Sequence, residues 1–231
     1  AECFRRIFER TVQACMAAGY SHMGVADHSP SLTVAGGQSR DDILRQVEEV
    51  RRLNETLAAE GHGFRILAGI EADILGGGNL DLPEGVFEEL DFVIGAVHQG
   101  FSADADHMTA RIVGALQTGR VDILAHPTGR LLLGRPAYGL HIEAVIEAAS
   151  EHRVALELNA SPERLDLSDA HCRLARRSGV PLSINSDAHD TPHLQFMRYG
   201  VLTARRGWVE AAGVINTWPL EELTEWLSSR R

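Results

Sequence analysis

Apolar residues recur at helical spacing over residues 3–17, where Phe4, Ile7, Phe8, Val12 and Met16 share one face and Gly19 closes the run. A short apolar strand, Ser21–Ala26, follows, and Pro30–Gly37 reads as a loop. Ile43, Val47, Val50, Leu53 and Leu57 mark a long helix, Phe64–Ile70 a second strand, and Gly76–Gly78 another loop. Four more strands are expected at Phe92–Val97, Val121–Ala125, Val154–Leu158 and Leu182–Asn185. Helices are expected near residues 105–117, 140–151, 168–178 and 219–229, the last carrying Leu220, Leu223, Trp226 and Leu227. Uninterrupted apolar strands separated by helices predict an α/β fold, a parallel sheet covered by helices. No linker or repeat breaks the pattern, so residues 1–231 read as a single domain.

The polar residues that follow each strand carry the chemistry. In order, the strand ends deliver Asp27-His28, Glu71 with Asp73, His98, His126, Glu157-Leu158-Asn159 and Asp187-Ala188-His189. Singly each is a weak signal: Asp27 could cap a turn, and Glu71 could pair with an arginine. Repetition at strand after strand is much harder to reach by accident, and in a parallel barrel these ends converge on one face. Imidazoles mixed with carboxylates suit zinc, manganese or iron better than magnesium, with two or three divalent ions in an intact site. Glu71 is the candidate bridging carboxylate.

Composition narrows the partners. The charge is −10, and every basic residue is Arg, with no Lys in the chain. A net acidic domain is a poor general binder of nucleic acid, so contact with DNA is expected only at an end. Cys3, Cys15 and Cys172 form no disulfide framework, which points to a reducing cytoplasm. No apolar run is long enough for a membrane span, and residues 1–18 are amphipathic rather than signal-like.

The segments Ala26-Asp27-His28-Ser29, Gly69-Ile70-Glu71, Ala96-Val97-His98, Ala125-His126-Pro127 and Ser186-Asp187-Ala188-His189 resemble the polymerase-and-histidinol-phosphatase (PHP) family. A narrower resemblance is to the C-terminal PHP domain of bacterial family X DNA polymerases. It rests on Asp27–Ala35, Glu71–Leu75, His126–Arg130, Asn159–Pro162 and Arg198-Tyr199-Gly200. The resemblance implies a distorted parallel barrel of seven strands, with catalytic roles for Glu71, His98, His126 and Asp187. It groups Glu71, His98 and His126 at one metal, Glu71 and Asp187 at a second, and His28 and His189 at a third. Arg130, Ser161 and Arg164 would contact substrate phosphate, with Arg130 as a bidentate fork. Asp27 would orient a ligand, and Asn159 would tie strand ends together.

The family pattern opens with a strand ending in His-x-His, which this chain does not contain. The expectation is therefore a fragment whose first strand and remaining histidines lie upstream of Ala1, together with a polymerase domain; a catalytically incomplete domain is the other outcome. As given, only the Glu71–His98–His126 group has its full protein set. Three functions are weighed. The first is a phosphoesterase acting on DNA ends as 3′-to-5′ exonuclease or 3′-phosphatase. The second is a small-molecule phosphatase such as a histidinol phosphatase. The third is a non-catalytic metal-binding or stabilising module. An amidohydrolase is more distant, since that class usually needs a bridging lysine and the chain has none.

Overall fold

The computed structural model describes residues 2–32 and 36–229, with side chains from Phe8 onward. Thr33, Val34 and Ala35, which form part of the narrower resemblance, lie outside the described residues, as do the side chains of Cys3, Phe4 and Ile7. The chain alternates helix and strand from α1 (Glu2–Ala17) and β1 (His22–His28) through α2 (Arg40–Ala59), β2 (Arg65–Asp73) and β3 (Phe92–Ala96). It continues with α3 (Ala105–Gln117), β4 (Ile123–Leu124), α4 (Ile142–Glu151), β5 (Ala155–Asn159), α5 (Asp169–Arg177) and β6 (Leu182–Asn185), and ends with α6 (Met197–Arg206) and α7 (Leu220–Ser228). The six strands form one sheet in sequence order, every neighbouring pair parallel. The sheet curls into a distorted half-barrel with α1 to α6 on its outer face and α7 against its inner face.

The helices start where local chemistry says they should. Ser39 and Asp42 form a capping box at the head of α2, and Asp104 and Ser168 accept from the backbone N–H groups of His107 and His171 to cap α3 and α5. Alternation along each strand then divides the side chains between two faces. On the outer face of β2, Ile66, Ala68, Ile70 and Ala72 pack with Ile43, Val47, Val50 and Leu57 of α2. The outer faces of β4 to β6 join α3 to α6 in a larger cluster that includes Leu124, Leu156, Leu158, Leu182 and Ile184. Truncating one such fully buried residue to Ala costs roughly 2–5 kcal/mol.

The concave inner face changes character along the strands. Near the strand N-termini it is apolar: Leu67, Phe92, Ile123 and Ala155 are buried with Leu223 and Leu227 of α7. Toward the C-termini the same face carries His28, Glu71, Asp73, Glu157, Asn159 and Asn185. Phe92 is the floor between the two zones. A Cβ at Gly69 would lie 2.3 Å from its ring and one at Gly24 2.8 Å, so the ring fits only because both positions lack a side chain.

Two segments differ from the sequence pattern. Strand β4 is reduced to Ile123–Leu124, although the Ala125 N–H still reaches the Gly95 carbonyl at 2.9 Å. Residues 190–206, for which no element was predicted, form a 3-10 segment, Thr191–Phe196, running straight into α6.

Candidate metal centre

Parallel register places the first two groups. His28 on β1 pairs with Glu71 on β2, so both side chains rise from the same face of the sheet. Glu71 is 14% exposed, and three imidazoles converge on its carboxylate. His98 Nε2 and His126 Nε2 each lie 3.2 Å from Oε1, and His28 Nδ1 lies 3.5 Å from Oε2. The rings of His28 and His98, and of His98 and His126, meet edge to face with centroids 5.2 and 5.3 Å apart.

Electrostatics within the cluster are mutual. Burial opposes the charge on Glu71, yet hydrogen bonds and charge from His126 and His98 hold its carboxyl well below the usual range. Burial likewise opposes protonation of His98, but Asp73 and Glu71 together raise that imidazole to about 9. In the metal-free protein a proton thus occupies a position between basic groups where a cation would be equally well placed.

The donor set fits a divalent ion. Two ligands bonded at ~2.0–2.2 Å to one tetrahedral or octahedral cation stand roughly 3.0–3.5 Å apart, which matches the separations here. His28, Glu71 and His98 each offer a ligand atom within 4.8 Å of the others. The decisive detail is His28 Nδ1, which is buried and has no hydrogen-bond partner. Such an atom is costly unless something binds it.

Supports to which the sequence reading gave no role surround this cluster. Asp73 lies two residues beyond Glu71 on the same strand face and is 1% exposed. Its Oδ1 lies 3.2 Å from His98 Nδ1 and accepts from the His98 backbone N–H at 3.1 Å, which fixes the ring with Nε2 toward Glu71. Ser29 and Gln99 brace Asp73 in turn. Arg111, nearly buried, donates to the carbonyls of Ile74 and Gln99 and so ties together the residues that directly follow Asp73 and His98. The His126–Gly129 turn is fastened by Glu157, Asp166 and Tyr138. Gly129 has φ 61°, and a Cβ there would fall 2.2 Å from the Tyr138 ring, so this turn requires glycine.

The remaining expected site residues are placed differently. Asp187 is held by Asn159 Nδ2 at 3.1 Å and faces Arg164 Nε at 3.6 Å. His189 is 69% exposed and turns Nδ1 back onto the Asp187 carbonyl at 3.0 Å, so the expected His28–His189 pair is not formed; His28 joins Glu71 and His98 instead. Arg130 does not present the expected fork: its Nε and one Nη are spent on the carbonyls of Arg164 and Leu165, because the 161–165 loop folds directly beneath it. Ser161 lies in that loop, its N–H donating to Asn159 Oδ1 at 3.0 Å. Asp27 meets Gln38, at 3.3 Å, rather than a histidine. Asn159 contacts Glu157 at 3.4 Å and Asp187 at 3.1 Å. Cys15 and Cys172 are buried free thiols, and no helix among the described residues is long and apolar enough to cross a membrane.

No family model matches the chain. It is 42% identical over 215 residues to the DNA polymerase/3′-5′ exonuclease PolX of Bacillus subtilis, covering 93% of this chain and 37% of that protein. It is 38% identical over 136 residues to a protein named as a phosphatase from Aeromonas hydrophila, covering 55% of this chain and 53% of that one. The chain therefore spans little more than a third of the first relative and about half of the second. In fold it resembles a protein assigned as a histidinol phosphatase from Listeria monocytogenes, with TM-score 0.62, 12% identity, and 81% and 90% of the two chains covered. It also resembles histidinol phosphate phosphatase from Lactococcus lactis, solved with zinc, L-histidinol and phosphate, with TM-score 0.58, 12% identity, and 87% and 88% covered. Strand order, the clustered strand-end ligands and the 42% identity to PolX bear out the resemblance to the PHP domain of bacterial family X DNA polymerases, and the likeness to the histidinol phosphatase structures is one of fold.

Proposed function

We infer that this chain is a metal-dependent phosphoesterase whose centre is built on Glu71, His98, His126 and His28, and whose substrate is a DNA 3′ end. The observation that carries the metal assignment is the convergence of three imidazoles on one largely shielded carboxylate, with His28 Nδ1 left without a hydrogen bond. Divalent cations held there by Glu71, His98, His126 and His28 would supply Lewis acidity toward phosphate oxygens and a more nucleophilic water. The protein's own work is positional. Glu71 shares its carboxylate among the histidines, Asp73 fixes the His98 ring, and Arg164 brings positive charge beside Asp187, where a phosphate oxygen can be met. Asp187 and His189 stand at the end of β6 as further candidate ligands.

The DNA-end reading is supported by the 42% identity to PolX across nearly the whole chain. The small-molecule reading is favoured by the net charge of −10 and the identity to proteins named as phosphatases. Side-by-side assays with manganese decide between them, using a 3′-phosphorylated oligonucleotide, an unmodified single strand and histidinol phosphate. Turnover of the oligonucleotides is expected to exceed that of histidinol phosphate, and the reverse order would move the assignment to the small ester. Glu71→Ala, His98→Ala and His126→Ala should each abolish turnover; full activity in all three would remove the metal centre from the reaction.

A further inference from the structure

The geometry points to Glu157 as the positioning residue that holds both flanks of the centre in place; this rests on the metal-centre reading above. Glu157 is 4% exposed and sits on the inner face of β5, in register with Ser183 of β6. Its carboxylate meets three donors. Oε2 accepts from the His126 backbone N–H at 2.7 Å and lies 3.4 Å from Asn159 Nδ2, and Oε1 accepts from Asn185 Nδ2 at 2.9 Å. The same Asn159 amide also donates to Asp187 Oδ2 at 3.1 Å. One side chain thus reaches a ligand's backbone directly and a second candidate ligand's carboxylate through a single amide.

The two residues it secures are ones the chain would not hold unaided. His126 has φ 27° and Asp187 φ 51°, a region that residues with a Cβ populate rarely and keep only when their surroundings impose it. At His126 the imposed turn lets Nε2 face Glu71. The amides themselves are oriented by further bonds, Asn159 Oδ1 accepting from the Ser161 N–H and Asn185 Oδ1 from the Ser183 hydroxyl. The Ser161 N–H fixes the Asn159 NH2 toward Glu157 and Asp187, and the Asn185 NH2 faces Glu157 Oε1. Three donors aimed at one group demand an acceptor at both oxygens, which a carboxylate provides and a carboxamide does not. Glutamine here would set an NH2 group against another donor.

The test exchanges donor and acceptor. Glu157→Gln is expected to weaken manganese binding about 10–100-fold, measured by calorimetry on the full chain, and to lower kcat on a 3′-phosphorylated oligonucleotide with KM changed less than about twofold. Combining Glu157→Gln with Asn185→Asp reverses the pair: the oxygen of the introduced carboxamide takes the His126 N–H, and its NH2 donates to the introduced carboxylate. That double variant should recover manganese affinity to within about threefold of the parent. Parental affinity in Glu157→Gln, or a folded double variant that binds no better than Glu157→Gln, would overturn the proposal. Should Glu157→Gln fail to fold, the double variant decides alone: parental affinity upholds the role, and a folded double variant binding tenfold weaker ends it. Manganese binding by Glu71→Ala at parental strength would instead count against the metal-centre reading, which keeps the two failures apart.

Discussion

The two flanks of the inner face use polar residues in opposite ways. On the β1–β3 flank, His28, Glu71 and His98, joined by His126, leave basic atoms pointing at a common volume, and the buried Nδ1 atoms of His28 and His126 have no hydrogen bond. On the β5–β6 flank, Glu157, Asn159, Ser183 and Asn185 bond to one another and to backbone, with little left over. The first arrangement is incomplete without a ligand, and the second is complete without one. A polar cluster that satisfies itself is scaffold, whereas one that does not is a binding site.

The sharpest way to break this contrast is to remove His28. Because its Nδ1 has no hydrogen bond to lose, His28→Ala should lower the thermal midpoint of chelator-treated protein only by what its edge contact with His98 and its approach to Glu71 contribute. Metal affinity should nevertheless fall by more than the ~10–100-fold that supporting residues cost. A variant that unfolds while its metal content stays intact would make His28 scaffold after all. Asp73→Asn comes next. It weakens the acceptor that orients His98 and should reduce metal affinity by about 10–100-fold with the fold retained, checked by calorimetry and circular dichroism.

A pH series on metal-free protein sharpens the comparison further. His98 is raised from 6.5 to about 9, so its ion pairing stabilises the fold fully below pH 6.5 and is lost as pH rises through about 9. Chelator-treated protein should lose stability across that window in urea titrations, and His98→Gln should flatten the loss. Metal binding must displace that proton, so it should release protons in buffers of differing ionisation enthalpy. The smallest effect is expected at Gln99, whose amide reaches Asp73 at 3.3 Å: Gln99→Ala should change metal affinity by less than about threefold.

Much of this was legible in the sequence because strand-end position and residue type are both local properties. Continuous apolar runs located the strands, and what followed each run named His28, Glu71, His98 and His126. Asp73 and Glu157 were legible in principle. Glu71-x-Asp73 and Glu157-x-Asn159 repeat at the strand period, which puts both members of each pair on one face. Their roles were not legible, because a carboxylate that binds a metal and one that steadies a histidine look alike in a sequence. Arg130 and His189 could not be placed for another reason. Whether a guanidinium or an imidazole is free depends on which carbonyl a neighbouring loop brings within reach, and neither the 161–165 loop nor the turn at residues 186–190 announces that in its residue order. The Met197–Arg206 helix escaped notice because much of its surface is arginine and exposed aliphatic residues, with only Gly200 and Ala204 buried.

The Phe92 ring beneath Glu71 bears on the reach of the centre as well as its shape. An aromatic floor backed by Leu67, Ile123 and Leu223 is weakly polarisable matter on one side of the charges, with water on the other. Field lines from a cation resting above such a wall are screened less than those of an ion on an open surface, and they leave mainly through the wet side. In a protein carrying −10 overall, that one-sided field is how a phosphate could still be drawn inward.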